Sequence, residues 1–239
     1  MYQIRFSFIA LLFTSSLFFS GCKKNDNTLS ADDASDAVGY ALSGSTDGLS
    51  SQVSAAATYS AGQGVYKTSG TESLQCGVPF DTLVAYTYSS GTITADYSGQ
   101  WHYLLTCTGA QSLAMSGTYS GNFDATRIQS TNTGQRQWTL TGIDGSQSTD
   151  YMLNGTLTRT GTHTSKVRNR YTYTCDMTVT VTNLTVSKTS YQITGGTGTV
   201  TMTGTVSNGN AYTYNGAIVF HGGGSATLTI NGNTYDITL

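Results

Sequence analysis

The sequence predicts a mainly β protein, in which an antiparallel meander forms a strongly curved sheet or barrel-like β domain behind a short N-terminal helical segment. Apolar and polar residues alternate along many segments; in residues 171–181 tyrosine, cysteine, methionine and valine hold the odd positions, and threonine most of the even ones. A period of two is typical of a strand with one buried face. The chain has 28 glycines and one proline, which suits many turns between strands that all donate backbone hydrogen bonds.

Length and charge limit the possible classes of protein. The 239 residues suffice for one large β domain, which we place at residues 61–239. A net charge of -2 disfavours a nucleic-acid partner, because non-specific binding of that kind needs a basic surface. No closely spaced cysteine or histidine pair has ligand spacing, so we expect neither a metal nor another cofactor.

The first 21 residues have the pattern of a signal peptide. Arg5 precedes an apolar run over residues 6–19, and the small residues Ser20-Gly21 come directly before Cys22. This junction resembles the lipobox of bacterial lipoproteins, in which the cysteine is fatty-acylated and becomes the first mature residue. The alternative is an ordinary secretory signal followed by an incidental cysteine.

The resemblance implies a location for the protein. Cys22 would attach the chain to a membrane through lipid, and residues 22–30 would be the lipidated tether. Lys23, rather than an aspartate, fits export to the outer membrane, at the cell surface or on the periplasmic face. The resemblance covers only residues 1–27 and implies no activity.

Residues 31–60 are predicted to be helical. Ser30 suits an N-cap and Asp33 occupies the third helical position. We expect the first helix to end near Gly44 and the second to run from Asp47 or Leu49 to Tyr59. Short helices are marginal without packing, so they should lie against the β domain; a flexible stalk over this region remains the alternative.

The strands follow one another with short connections. We predict strands at residues 83–88, 92–97, 100–107, 113–123, 135–143, 151–160 and 166–182, with turns at 89–91, 132–134 and 144–145. The last of these strands is unusually long. The apolar phase switches from odd to even at Asn183-Leu184, which predicts a β-bulge.

Two hairpins near the C-terminus predict a register. A two-residue turn in the final hairpin would place Leu228 opposite Tyr235, so that apolar side chains share a face. A three-residue loop at residues 208–210 would place Gly204 opposite Tyr214, where an aromatic ring covers a bare strand position.

Export to an oxidising compartment favours a disulfide among the three remaining cysteines. We favour Cys76–Cys107, because the pattern of the segment between them predicts a compact pair of hairpins. Cys175 lies on the apolar face of its strand and suits a small buried hydrophobic residue.

Five residues are candidates for ligand binding. Trp101 and Trp138 offer aromatic surfaces of the kind that suits sugars or apolar ligands. Lys166, Arg168 and Arg170 share one parity and would form an anion-binding patch on one strand face. The alternative for the three cations is a solvated face, or an edge protected by charge against stray pairing.

No catalytic motif is evident. His221 with the three glycines that follow resembles the oxyanion-hole motif of some esterases, but the chain lacks the Gly-x-Ser-x-Gly elbow that such enzymes need. A Ser-His-Asp triad would have to assemble in space. We therefore expect a protein that is not an enzyme.

The predicted function is that of a non-catalytic, lipid-anchored outer-membrane or cell-surface lipoprotein with a structural or binding role, such as adhesion or glycan binding. The alternative is a carrier of lipid or another apolar ligand inside the curved sheet.

Overall fold

Two helices precede ten strands in the computed structural model, which describes residues 28–61, 74–143 and 148–239. The helices are α1 (Ala31–Leu42) and α2 (Leu49–Ser60), joined through a 3-10 turn at Gly44–Thr46. The strands are β1 (Pro79–Ser89), β2 (Ile93–Thr106), β3 (Ser112–Ala125), β4 (Ile128–Thr141), β5 (Asp150–Ser165), β6 (Thr172–Ser187), β7 (Ile193–Thr205), β8 (Ala211–Gly222), β9 (Ser225–Ile230) and β10 (Asn233–Thr238).

The strands form one antiparallel sheet in which spatial order equals sequence order. The predicted meander is therefore confirmed. The sheet curls but does not close, so that β1 and β10 are its two edges. Along most strands, buried residues alternate with exposed ones, because the inner face packs on the core and the outer face meets water.

The helical segment lies inside the curl and runs from one end of the sheet to the other. At the start of α1, the Asp33 carboxylate accepts a hydrogen bond from Ser165 Oγ at the end of β5, at 2.8 Å. At the end of α2, the Tyr59 ring stacks on Tyr103 near the opposite end of the sheet, with 4.5 Å between ring centroids. The helices thus supply the second layer that the inner face needs to exclude water.

The predicted helix boundaries are confirmed. Ser30 is the N-cap of α1, and its hydroxyl accepts a hydrogen bond from the Asp33 amide at 3.0 Å. Val38 and Leu49 are fully buried, so residues 31–60 are not a flexible stalk. No helix among the described residues is long and apolar enough to cross a membrane.

The predicted turn at residues 132–134 is wrong, because these residues lie in the middle of β4. The reversal occurs instead at residues 126–127. Asn132 is buried and donates to the Tyr97 hydroxyl at 3.0 Å. Gly134 lies under the Tyr119 ring, where a Cβ would come within 2.4 Å of the phenol oxygen. Gly134 is required for the close approach of the Tyr119 ring and not for a turn.

The predicted strand over residues 166–182 is also wrong at its beginning. Strand β6 starts at Thr172, and residues 166–171 form the connection from β5. Arg168 and Arg170 have φ values of 53° and 52°, which belong to the left-handed region and cannot continue a strand. The alternation of residue types through this connection imitates the pattern of a strand.

The register of the final hairpin is confirmed, with Leu228 opposite Tyr235. The other predicted register is two residues out: the β7–β8 connection is a five-residue loop at 206–210, and Tyr212 rather than Tyr214 lies opposite Gly204. A shift of two keeps each side chain on its predicted face. The predicted bulge is confirmed by a register shift in β6 around Asn183.

The predicted disulfide Cys76–Cys107 is present, and Cys175 is a buried free thiol. The signal peptide, Cys22 and the turn predicted at residues 144–145 lie outside the described residues.

Candidate ligand-binding surface

The two tryptophans proposed as ligand contacts belong to the core. Trp101 and Trp138 are each 2% exposed on the inner face of the sheet. The Arg136 guanidinium lies 4.0 Å from the centroid of the Trp101 ring, and the Trp138 indole N–H donates to Gln52 Oε1 of α2 at 3.3 Å. Neither ring offers a surface to an external ligand.

The three cations proposed as an anion site do not share a strand face. They lie in the connection between β5 and β6, where Lys166 pairs with Asp124. Arg168 donates from Nη1 to Asp33 and Asp36, at 2.8 Å each. Only Arg170 makes no ion pair within the part of the chain that the structure describes, so the proposed patch is largely neutralised by aspartates of this chain.

An interior polar cluster of Asp47, Gln52, Arg136 and Arg159 holds the helical segment against the sheet. Arg136 Nη1 donates to Asp47 Oδ2 at 3.2 Å, and Arg159 Nη2 donates to the Thr46 carbonyl at 3.0 Å. Both arginines are almost fully buried. Arg159 also donates from Nη1 to the Tyr40 carbonyl at 3.4 Å, so it serves carbonyls at the end of the first helical stretch. Arg136 instead serves the Asp47 carboxylate.

The charges of this cluster have their counterparts inside the protein. Burial raises the pKa of Asp47, although Arg136 and Arg159 act in the opposite direction. The Arg159 guanidinium also lies 5.6 Å from the Tyr97 ring centroid, where the ring face attracts a cation. The cluster therefore anchors the helices, and the chain itself occupies the space inside the curl.

An open groove lies on the outer face of the sheet across β1 to β5, with a volume of about 910 Å³. Its lining includes a cross-strand row in which each residue is the register partner of the next. The row consists of Leu83, Gln100, Thr118, Gln135 and Thr158. Every side chain after the leucine can donate or accept hydrogen bonds, and none carries a charge.

A smaller groove of about 300 Å³ adjoins the first and shares Gln100, Thr118 and Gln135 with it. Asp81 and His102 form one side, with the imidazole Nδ1 2.6 Å from Asp81 Oδ1. Ser116 is the register partner of His102 on β3. The three residue types of a hydrolytic triad are thus aligned in one row across three strands.

This row lacks two features that hydrolysis requires. Ser116 makes no hydrogen bond to His102 among the described residues, so the hydroxyl has no positioned base. The three residues are also register partners within a sheet, where backbone N–H groups are taken up by the ladder and cannot form an oxyanion hole. The arrangement can bind polar groups, and among the described residues Ser116 has no base positioned beside it.

Sequence reasoning missed this surface because it weighed aromatic and cationic residues as ligand contacts. Gln100 and Gln135 are 35 positions apart, and only the register of β2, β3 and β4 brings them into one row. The sequence does carry one indication of this surface: uncharged hydroxyl and amide side chains recur at the outward-facing positions of four successive strands.

No family model, curated protein or solved structure matches the chain. Within the described ranges, no group of three or more histidine, cysteine or acidic side chains is placed to hold a metal ion.

Proposed function

We propose that the protein is a non-catalytic, lipid-anchored outer-membrane lipoprotein, at the cell surface or on the periplasmic face, and that it binds a neutral glycan in the groove on its outer face. The anchor is supported by Cys22 and the signal-like residues before it. Binding is supported by the row through Gln100, Thr118 and Gln135.

The chemistry of the groove carries the choice of ligand. A neutral glycan presents hydroxyl groups that both donate and accept, and glutamine amides and threonine hydroxyls offer the complementary partners. The groove has the volume of an ordinary ligand site and lies on paired strands, which hold such side chains more rigidly than loops do. The exposed Leu83, at 73%, adds an apolar contact for the carbon face of a sugar ring.

The alternative of an apolar-ligand carrier has less support. Its ligand would occupy the inside of the curl, where α1 and α2 lie with fully buried residues such as Val38 and Leu49. Binding there would require the helices to move out of the curl, and Arg136 and Arg159 would then lose their hydrogen-bond partners in the helical segment. We therefore place the ligand outside the sheet.

Glycan binding can be tested with the mature lipidated protein in nanodiscs, applied to an array of neutral oligosaccharides. We expect Gln100→Ala combined with Gln135→Ala to weaken the signal at least tenfold, because four amide hydrogen-bonding groups are lost. Gln129→Ala is the matched control, since Gln129 is exposed on the same face of β4 outside both grooves. Wild-type signal no higher than that of empty nanodiscs, or undiminished signal in the double variant, would contradict the proposal.

A further inference from the structure

The start of the described chain is held at one end of the sheet. We call this the near end; it is formed by the connections at residues 90–92, 126–127, 166–171 and 206–210. Leu29 is buried, and its carbonyl accepts a hydrogen bond from the Tyr214 hydroxyl. Seven residues later, the Asp36 carboxylate accepts from Arg127 Nε in the β3–β4 connection at 2.9 Å.

The length of the tether restricts which part of the protein can approach a membrane. Leu29 lies seven positions after Cys22, and a fully extended chain of seven steps spans at most about 25 Å. Strands β2 to β6 have 14 to 16 residues, which corresponds to roughly 45–50 Å along each strand. When the strands point away from the membrane, the far end, which carries the Cys76–Cys107 disulfide, therefore lies farther from the membrane than the tether can span.

The cations of the surface are concentrated at the near end. Among the described residues, Arg127, Lys166, Arg168 and Arg170 lie in its connections, whereas Lys188 is at the far end. Lys23 and Lys24 add two further cations within the tether. Basic residues close to a bilayer are attracted to anionic headgroups. Aspartates pair with three of the four near-end cations, which leaves Arg170 and the tether lysines for this contact.

From this geometry, and resting on the proposed lipid anchor, we propose that the near end faces the phospholipid headgroups and that the far end points away from the membrane. The strands then run away from the bilayer surface instead of lying along it. The outer groove, which lies at the middle of β1 to β5, is held clear of the headgroups and open to a ligand in solution.

The orientation can be measured with a single fluorophore on the lipidated full chain. The native cysteines do not compete for a thiol label, because Cys22 would carry lipid, Cys76 and Cys107 are bonded, and Cys175 is buried. We would label Ser207→Cys at the near end and Thr189→Cys at the far end; both positions are exposed in short connections.

Nanodiscs containing a nitroxide-labelled headgroup would then quench each label according to its distance from the bilayer. We expect at least threefold stronger quenching at position 207 than at position 189. Equal quenching would mean that the protein lies on its side, and stronger quenching at position 189 would reverse the orientation; either result overturns the inference.

A Cys22→Ser variant separates this inference from the anchor itself. If wild-type protein floats with lipid vesicles and Cys22→Ser does not, the anchor is established and the quenching pattern decides the orientation alone. If both forms fail to float, the anchor is wrong and the orientation falls with it.

Discussion

At the scale of single residues, several polar side chains on the inner face are buried away from solvent. The clearest case is His163, which is 1% exposed and has no hydrogen-bond partner for either ring nitrogen among the described residues. Its ring stacks on Tyr173, with 5.3 Å between centroids. Burial, together with the nearby Arg159 charge, lowers the pKa of His163 to about 3, because the protonated ring would have neither water nor a counter-ion.

This histidine should make the protein sensitive to mild acid. In the unfolded chain its pKa is near 6.5, so below that pH the unfolded state binds a proton that the folded state refuses. Its contribution to stability is complete above pH 6.5 and is lost progressively toward pH 3. Between pH 7 and pH 5 we expect a loss of about 2 kcal/mol in the free energy of unfolding, measured by urea denaturation.

The variant His163→Phe keeps the ring stacking and removes the titration, so most of this pH dependence should disappear. His221→Asn is the control, since His221 is exposed and its substitution should leave the wild-type slope unchanged. An unaltered slope in His163→Phe would show that another group is responsible.

At the scale of the strands, glycines on the inner face alternate with large aromatic residues on the neighbouring strand. Register partners of this kind include Tyr97 with Gly121, Tyr119 with Gly134, and Trp138 with Gly155. At all three glycines, a Cβ would lie within 2.2 Å of a backbone oxygen of the adjacent strand. The glycines thus allow close strand approach, and the aromatic rings cover the bare positions.

Substitution at Gly134 tests this pairing. In Gly134→Ala, the added methyl would lie 2.1 Å from the Thr158 carbonyl oxygen and would displace the Tyr119 ring, which donates to that same oxygen at 2.7 Å. We expect thermal unfolding to show a loss of about 2–3 kcal/mol in stability.

Gly91→Ala is the matched control for this substitution. Gly91 lies in the β1–β2 turn, and a Cβ there would contact nothing within 4 Å. The stability of the Gly91→Ala variant should stay within about 0.5 kcal/mol of that of the wild type. Equal effects at the two glycines would mean that general loss of glycine flexibility, not the ring contact, governs stability.

At the scale of the whole molecule, the sheet and the helical segment form one core. The inner face is too apolar to meet water, and the helical segment over residues 31–60 covers it. This segment is too short to fold alone, because short helices need packing to be stable. The interior polar cluster adds directional contacts between the two parts, since Arg159 donates to the Thr46 carbonyl and Trp138 to Gln52. Helices and sheet should therefore unfold together.

Leu49→Ala tests this cooperativity. Leu49 is fully buried at the start of α2, so truncation leaves a cavity and should cost about 2–5 kcal/mol. Hydrogen–deuterium exchange of peptides from residues 31–60 and tryptophan emission from the sheet should shift to lower urea by the same amount. Ser50→Ala, at the partly exposed neighbouring position, should change neither. Early release of the helices with unchanged tryptophan emission would instead support a loosely attached segment.

Much of the fold could be predicted because its signals are local. The alternation of residue types, the Ser30 cap and the Asn231-Gly232 turn each depend on residues within a few positions of one another. Errors arose where a residue serves a distant neighbour, as Gly134 does for Tyr119 and Arg168 does for Asp33. In both cases the local pattern suggested one structure, and a contact with a remote residue required another.

By itself, the sequence determined the mainly β class of fold, the helical segment that precedes the meander, the face on which most side chains lie, and the cysteine pair. Only the tertiary structure decided what fills the curl and which polar residues share a surface. The physical reason is that parity along a strand depends on the backbone alone, whereas the neighbours of Trp101 and Gln100 depend on how ten strands align and on what packs against them.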